Sequence, residues 1–276
     1  MFYHVKELQF EARPDKPDPL YAKQLQELIG GQYGEMTVAM QYLFQGWSVR
    51  GNEKYKDLLL DIGTEEIGHI EMLATMVARL LEDTSIEHQQ EAVKDPVIGA
   101  IMGGMNPQHA IVSGLGARPS DSIGNPWNGS YIIASGNLLA DFRANLNAES
   151  QGRLQAARLY EMTDDRGVKD LLSFLIARDA YHQNQWAAAI EELETKEGLL
   201  VPSTFPRAKE SLEHSYTLYN FSQGEESSAG RWASGPSLDG EGEYKYVSNP
   251  QPEAPKPVLK PAPPSLHNTL PMDPEI

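Results

Sequence analysis

Two segments of this chain set an acid and a histidine three residues apart on what is otherwise an apolar helical stripe. They are Glu66 and His69 within Glu65-Glu66-Ile67-Gly68-His69, and Asp179 and His182 within Asp179-Ala180-Tyr181-His182. Residues at this spacing project from nearly the same face of a helix. The first pair shares its face with Ile62, Leu73 and Val77, the second with Leu172, Leu175, Trp186 and Ala189. Burying an unpaired carboxylate costs several kcal/mol, so each pair needs a partner, and a divalent cation is a natural one. A single Glu-x-x-His carries little weight, since such pairs arise by chance on many helices.

Two further carboxylates change that weight. Glu35 shares a helical face with Leu28, Val38 and Tyr42, and Glu149 shares one with Leu139, Phe142 and Ala156. Glu35 precedes His69 by 34 positions and Glu149 precedes His182 by 33, so the two halves read as copies of one unit. A Glu from each of two helices, with an acid-x-x-His from each of the other two, is the two-metal pattern of ferritin-like bundles. The competing reading, buried charges that merely neutralise one another, leaves the matched spacing unexplained.

Periodicity supplies the helices that this pattern requires. Pro14, Pro17 and Pro19 set off an N-terminal arm over 1–19. Apolar residues then recur at helical spacing from Leu20 to Val49, weakened locally by Gly30 and Gly31, and again from about Glu53 to Leu81. The link Arg50-Gly51-Asn52 is so short that these helices must be antiparallel neighbours. Gly99, Gly103, Gly104, Gly114, Gly116 and Pro119 are among the residues that punctuate 84–130 too often for one long helix, which marks a crossover. Helical period returns over about Ile133–Met162 and Val168–Lys196, with Asp164-Asp165 as turn and N-cap between them. The predicted fold class is an all-α core, a ferritin-like four-helix bundle over 20–198 with one long crossover. An irregular Pro-rich extension over 199–276 follows, either disordered or laid across another subunit.

Composition narrows the chemistry. The chain has no cysteine, so any metal must be held by carboxylate, imidazole or backbone oxygen. A formal charge of -16 and a pI near 4.8 argue against nucleic acid as a partner. No apolar run approaches the roughly 20 residues that cross a bilayer. The opening Met1-Phe2-Tyr3-His4-Val5-Lys6 lacks a signal-peptide core, which makes a soluble cytoplasmic protein the expectation. Oxygen-rich ligation with one imidazole per metal suits manganese and iron equally.

The order and spacing of Glu35, Glu66-x-x-His69, Glu149 and His182 resemble the non-haem manganese catalases over most of the chain. The run Arg178-Asp179-Ala180-Tyr181-His182-Gln183-Asn184-Gln185-Trp186 and the segment Asn125-Pro126-Trp127 add to the likeness. The resemblance implies two manganese ions that cycle between +2 and +3 and dismutate hydrogen peroxide to water and dioxygen. It implies that Glu66 bridges both ions, that Glu35 and His69 complete one coordination sphere, and that Glu149 and His182 complete the other. Asp179 would then stand outside as a proton carrier, with Tyr42 hydrogen-bonding near the site. Asn220-Phe221-Ser222-Gln223-Gly224 resembles a loop that closes a calcium site, giving Asp57, Asp61, Asn220, Ser222 and Gly224 as its ligands. A homohexamer is implied as well. Where some members carry an Arg before the third-helix Glu this chain has Ala148, which leaves Arg153, one turn on, as a candidate guard of the entrance. The alternatives are a di-iron ferroxidase or storage bundle, and a coat-type structural protein that retains the site.

Overall fold

Asp18 and Pro19 start the first helix in the computed structural model, which describes residues 4–82, 106–196 and 205–267. In α1 (Pro19–Leu25) proline occupies a first-turn position that needs no N–H, and the Asp18 carboxylate accepts from the Tyr21 N–H at 2.9 Å. The helix does not run on to Val49 as the periodicity predicts. It breaks into α1, α2 (Glu27–Gly30) and α3 (Glu35–Ser48). Close backbone approach is the reason: a Cβ on Gly30 would lie 2.5 Å from the Ser120 backbone, and one on Gly34 would lie 2.8 Å from the Leu28 carbonyl oxygen. Ser120 belongs to the crossover, and Gln26 fastens that loop in place. Its Nε2 donates to the carbonyls of Arg118 and Ser120 at 2.7 and 2.9 Å, and its Oε1 accepts from the Arg118 N–H at 2.8 Å.

After the turn at Gly51, where φ is +78°, α4 (Glu53–Leu80) returns alongside α3. The described part of the crossover contains α5 (Pro107–Ile111), whereas residues 84–105, with Gly99, Gly103 and Gly104, lie outside the described residues. A second hairpin follows, α6 (Leu138–Glu161) and α7 (Arg166–Lys196). Asn137 caps α6 through the Ala140 N–H at 3.0 Å, and Asp165 caps α7 through the Val168 N–H at 3.0 Å. Hairpin, crossover and hairpin together give a ferritin-like four-helix bundle.

Among the described residues the bundle holds two separate apolar clusters. One gathers Leu25, Leu28, Met72, Leu73, Leu80, Leu159 and Leu175, and the other Val38, Tyr42, Leu59, Phe142, Trp186 and Leu193. Residues 4–18 lie against α4 and α7. The Phe10 ring stacks on Phe174 at 4.7 Å, and Arg79 donates to the Ala12 carbonyl at 2.8 Å. Among the described residues no helix is long and apolar enough to cross a membrane.

The residues from 205 onward cluster as a second unit. The extension is less irregular than its proline content suggests. It holds a small sheet in which β1 (Thr217–Tyr219) pairs parallel with β3 (Glu243–Val247) and β2 (Gly235–Pro236) pairs antiparallel with it. Tyr244, Tyr246 and Val247 supply the β-favouring side chains of its longest strand. Residues 251–263 follow without regular structure, and Pro271 and Pro274 lie outside the described residues.

Gly30→Ala is expected to destabilise the bundle by about 1–3 kcal/mol through overpacking against Ser120. Gly129→Ala, whose added Cβ meets nothing within 4 Å, should stay within about 0.5 kcal/mol of the parent. Thermal denaturation of the two variants checks the contrast.

Candidate metal centre

On each long helix the gap between the two apolar clusters is filled by an acid or a histidine. On α4, Ile62 belongs to one cluster and Met72 to the other, with Glu66 and His69 between them. On α7, Leu175 and Trp186 bracket Asp179 and His182, and on α6, Ala148 and Ala156 bracket Glu149. Glu35 opens α3, between Ile29 of one cluster and Val38 of the other. All six are buried; Glu66, His69 and His182 have no exposure at all, and Glu35, the least covered, is 8% exposed.

Five of them converge. Ligand atoms of Glu35, Glu66 and His69 lie within 4.8 Å of one another, as do those of Glu66, Glu149 and His182, so Glu66 belongs to both trios. Its Oε2 is 2.7 Å from His69 Nδ1 and its Oε1 is 2.7 Å from His182 Nδ1. Further out, Glu35 Oε2 lies 3.7 Å from His69 Nδ1 and Glu149 Oε1 lies 3.6 Å from His182 Nδ1. The two imidazoles face each other with ring centroids 5.9 Å apart and planes tilted by 21°. This is a pseudo-twofold arrangement about Glu66, as the matched spacing of 34 and 33 positions requires.

Despite those short distances, neither oxygen of Glu66 and neither Nδ1 makes a hydrogen bond of acceptable geometry. Buried polar atoms without partners are few in folded proteins, and here four of them meet in one cluster. Two carboxylate oxygens and two imidazole nitrogens facing one another are a donor set for a pair of divalent first-row cations. The residues present therefore fit two metal ions.

The remaining sequence candidates are placed as follows. Asp179 is buried, 4% exposed, and belongs to neither trio. The Tyr42 hydroxyl donates to Glu149 Oε1 at 2.6 Å, and its ring lies 5.0 Å from Trp186. Asp57 and Asp61 are exposed on α4. Asn220, Ser222 and Gly224 form a self-bonded turn in the second unit: Asn220 Nδ2 donates to the Gly224 carbonyl at 3.0 Å, and Asn220 Oδ1 accepts from the Ser222 N–H at 2.9 Å. Ala148 is buried and Arg153 is exposed on α6. One neighbour goes unannounced by the apolar stripe. Glu65 lies behind both imidazoles and is gripped by Arg178, a residue four before His182. The i,i+4 spacing from Glu65 to His69 is the sequence signal that could have pointed to it.

Electrostatics in the metal-free chain reflect the same crowding. Burial, followed by the charge of Glu66, raises Glu35 to about 8, and Glu149 moves up for the same two reasons. Burial and then the charges of Glu35, Glu149 and Glu66 push Asp179 well above the carboxylate range. For His182 burial works downward, but Glu149, Glu65 and Glu66 outweigh it and hold the ring at about 12. His69 is raised in the same way, chiefly by Glu66. Glu66 itself resists the upward pull of burial because the two imidazoles keep it well below the usual range.

Comparison with known proteins points to one family. A sequence model described as manganese containing catalase matches residues 1–275. A manganese catalase of Bacillus subtilis is 66% identical over 271 residues, covering 98% of this chain and 99% of the relative. A manganese catalase of Lactiplantibacillus plantarum is 47% identical over 268 residues, with 97% and 99% covered. The crystal structure of KatB, a manganese catalase from Anabaena, matches with a TM-score of 0.72 at 30% identity, covering 91% of this chain and 100% of that one.

In the metal-free chain Glu35, raised from 4.5 to about 8, and His182, raised from 6.5 to about 12, retain protons that the unfolded chain releases. Their contribution is complete below the unfolded values and is lost as pH rises. Glu66 acts oppositely, since its folded value is lowered and its contribution is lost as pH falls below about 4.5. Melting temperature after chelation should therefore peak near about pH 5 and decline toward about pH 8. A melting temperature that climbs steadily over that interval would contradict this balance.

Proposed function

This chain belongs to the manganese-containing catalase family, and from that premise we propose that each buried trio holds one manganese ion, with Glu66 bridging the two. The protein is a non-haem manganese catalase, and it dismutates hydrogen peroxide to water and dioxygen. The ligand assignment is Glu35, Glu66 and His69 on one side and Glu66, Glu149 and His182 on the other. The observation that carries it is the set of four buried, unbonded donor atoms on Glu66, His69 and His182. Bound there, a manganese pair supplies a two-electron store that alternates between +2 and +3 as one peroxide is reduced and the next oxidised.

The chain's own residues handle orientation, water and protons. The two apolar clusters flank the site on every helix and keep bulk water from it, which strengthens each electrostatic contact inside. Tyr42 donates to Glu149 Oε1, the oxygen that also faces His182 Nδ1, and so fixes the rotation of that carboxylate. Cleavage of the O–O bond takes up two electrons and two protons and yields two waters; oxidation of the second peroxide returns both electrons and both protons with dioxygen. Asp179 is the proton carrier in this reading, because it is a buried titratable group outside both trios whose protonated form is favoured by burial and by the neighbouring carboxylates.

The same resemblance supports a calcium ion, with the carboxylates of Asp57 and Asp61 on α4 among the oxygen donors of the kind calcium takes. It also supports a homohexamer, and the lack of cysteine fits a cytoplasmic location. An intersubunit place for the extension agrees with Val258 and Leu259, which are 92% and 88% exposed in the unstructured segment.

Asp179→Asn should lower oxygen release by about a hundredfold or more while leaving manganese at two ions per chain, measured with an oxygen electrode and by metal analysis. Loss of metal and activity in equal proportion would make Asp179 a ligand instead. Paired substitution of Asp57→Asn and Asp61→Asn should remove calcium and spare manganese; unchanged calcium content would end the calcium assignment.

A further inference from the structure

Glu65 sits next to the bridging carboxylate, yet it contacts the metal centre from the other side. Its Oε2 lies 3.2 Å from His182 Nε2, a hydrogen-bond distance, and its Oε1 lies 3.6 Å from His69 Nε2. His69 Nε2 is fully buried and makes no hydrogen bond, and the carboxylate oxygen it faces is Glu65 Oε1, just beyond bonding distance. Each imidazole is thereby held between two consecutive residues of α4, with Nδ1 toward Glu66 at 2.7 Å and Nε2 toward Glu65. A neutral imidazole carries one N–H, and placing it on Nε2 leaves the Nδ1 lone pair for a metal.

Glu65 is itself fixed from two directions. Arg178 on α7 grips it with both prongs of its guanidinium, Nε to Oε1 at 2.6 Å and a terminal nitrogen to Oε2 at 3.0 Å. From the N-terminal arm, Gln9 Nε2 donates to Oε1 at 2.9 Å. The arm is pinned there by Phe10 on Phe174, whose ring also meets His69 edge-on at 6.3 Å. A flexible surface carboxylate would have no need of a fork, an amide and a stacked arm.

We propose that Glu65 is a positioning residue common to both halves of the centre: its two oxygens hold His69 and His182 as Nε2–H tautomers and so tie the retention of the two ions to one side chain. This rests on the ligand assignment above. The chemistry of the carboxylate makes it specific. Two N–H donors need two acceptor oxygens on the same group, which a carboxylate has and a carboxamide of the same shape has not. In Glu65→Gln one imidazole keeps its acceptor and the other faces an NH2 donor.

The test uses full-length protein loaded with manganese and then challenged with a chelator. Wild type should hold two ions and release them together in one slow phase. Glu65→Gln should release them in two phases, the faster about tenfold or more above wild type, the usual scale of such supporting contacts. Histidine nitrogen resonances of the zinc-loaded protein give a readout that a loss of packing alone would not move. Wild type should show two Nε2–H imidazoles and Glu65→Gln only one. Arg178→Gln, which frees Glu65 without changing it, should displace the same resonances and serves if the first variant does not fold. Wild-type release kinetics and resonances in the variants would overturn the role of Glu65 alone. A wild-type protein that takes up fewer than two manganese ions would overturn the ligand assignment, and this role with it.

Discussion

Glu66 lies at zero exposure in the middle of a helix bundle with neither oxygen hydrogen-bonded, and most of the surrounding architecture answers to that one carboxylate. A lone charge there would be intolerable, since transfer from water costs several kcal/mol even after relaxation. The chain brings two imidazoles to within 2.7 Å of it and two more carboxylates behind those. The result is a polar waist with an apolar cluster on either side. Those clusters are what make the waist useful. Side chains packed at interior density leave the helices little freedom to slide, so the donor atoms are positioned before any ion arrives and need not be reorganised to receive it.

The two halves of the waist are equivalent in their donors and different in the helices that carry them. Glu149 stands inside the continuous helix α6, where Tyr42 satisfies one of its oxygens. Glu35 is the first residue of α3, where the unpaired N–H groups of the helix end favour a negative side chain. Helix α3 can begin there only because Gly34 lets the chain turn tightly against the carbonyls of α2. Internal symmetry is therefore preserved at the metal-facing atoms while the backbone on one side is remodelled to accept the crossover at Ser120.

That remodelling explains which parts of the molecule were legible in the sequence. Helices α4, α6 and α7 announce themselves, because their apolar residues recur every three or four positions and the ligands fall in register with them. Glu35 and Glu149 are legible for the same reason. The break at Gly30 to Gly34 is not, because it depends on the backbone of Ser120 far along the chain, and a weak glycine pair inside a helical pattern does not say what packs on it. Glu65 lies on the flank of the stripe, and its importance appears only when Arg178 and Gln9 close around it. The sheet beyond residue 205 escapes for a related reason. Thr217–Tyr219 is too short to show a period, and its partner strand begins at Glu243.

The most informative departure from symmetry is the acid that precedes each histidine by three. Before His69 it is Glu66, which belongs to both trios; before His182 it is Asp179, which belongs to neither. A symmetric chain would place two long carboxylates between the metals and use both as bridges. Asp179 keeps its carboxyl out of the donor set yet buried beside Glu35, Glu149 and Glu66, whose charges favour its protonated form. A centre with both acids committed to metal could store electrons yet would have no resident acid for the protons that must accompany them. On the proposed reading, an acid at position 179 that stays outside both trios turns a duplicated binding motif into one that can also carry a proton.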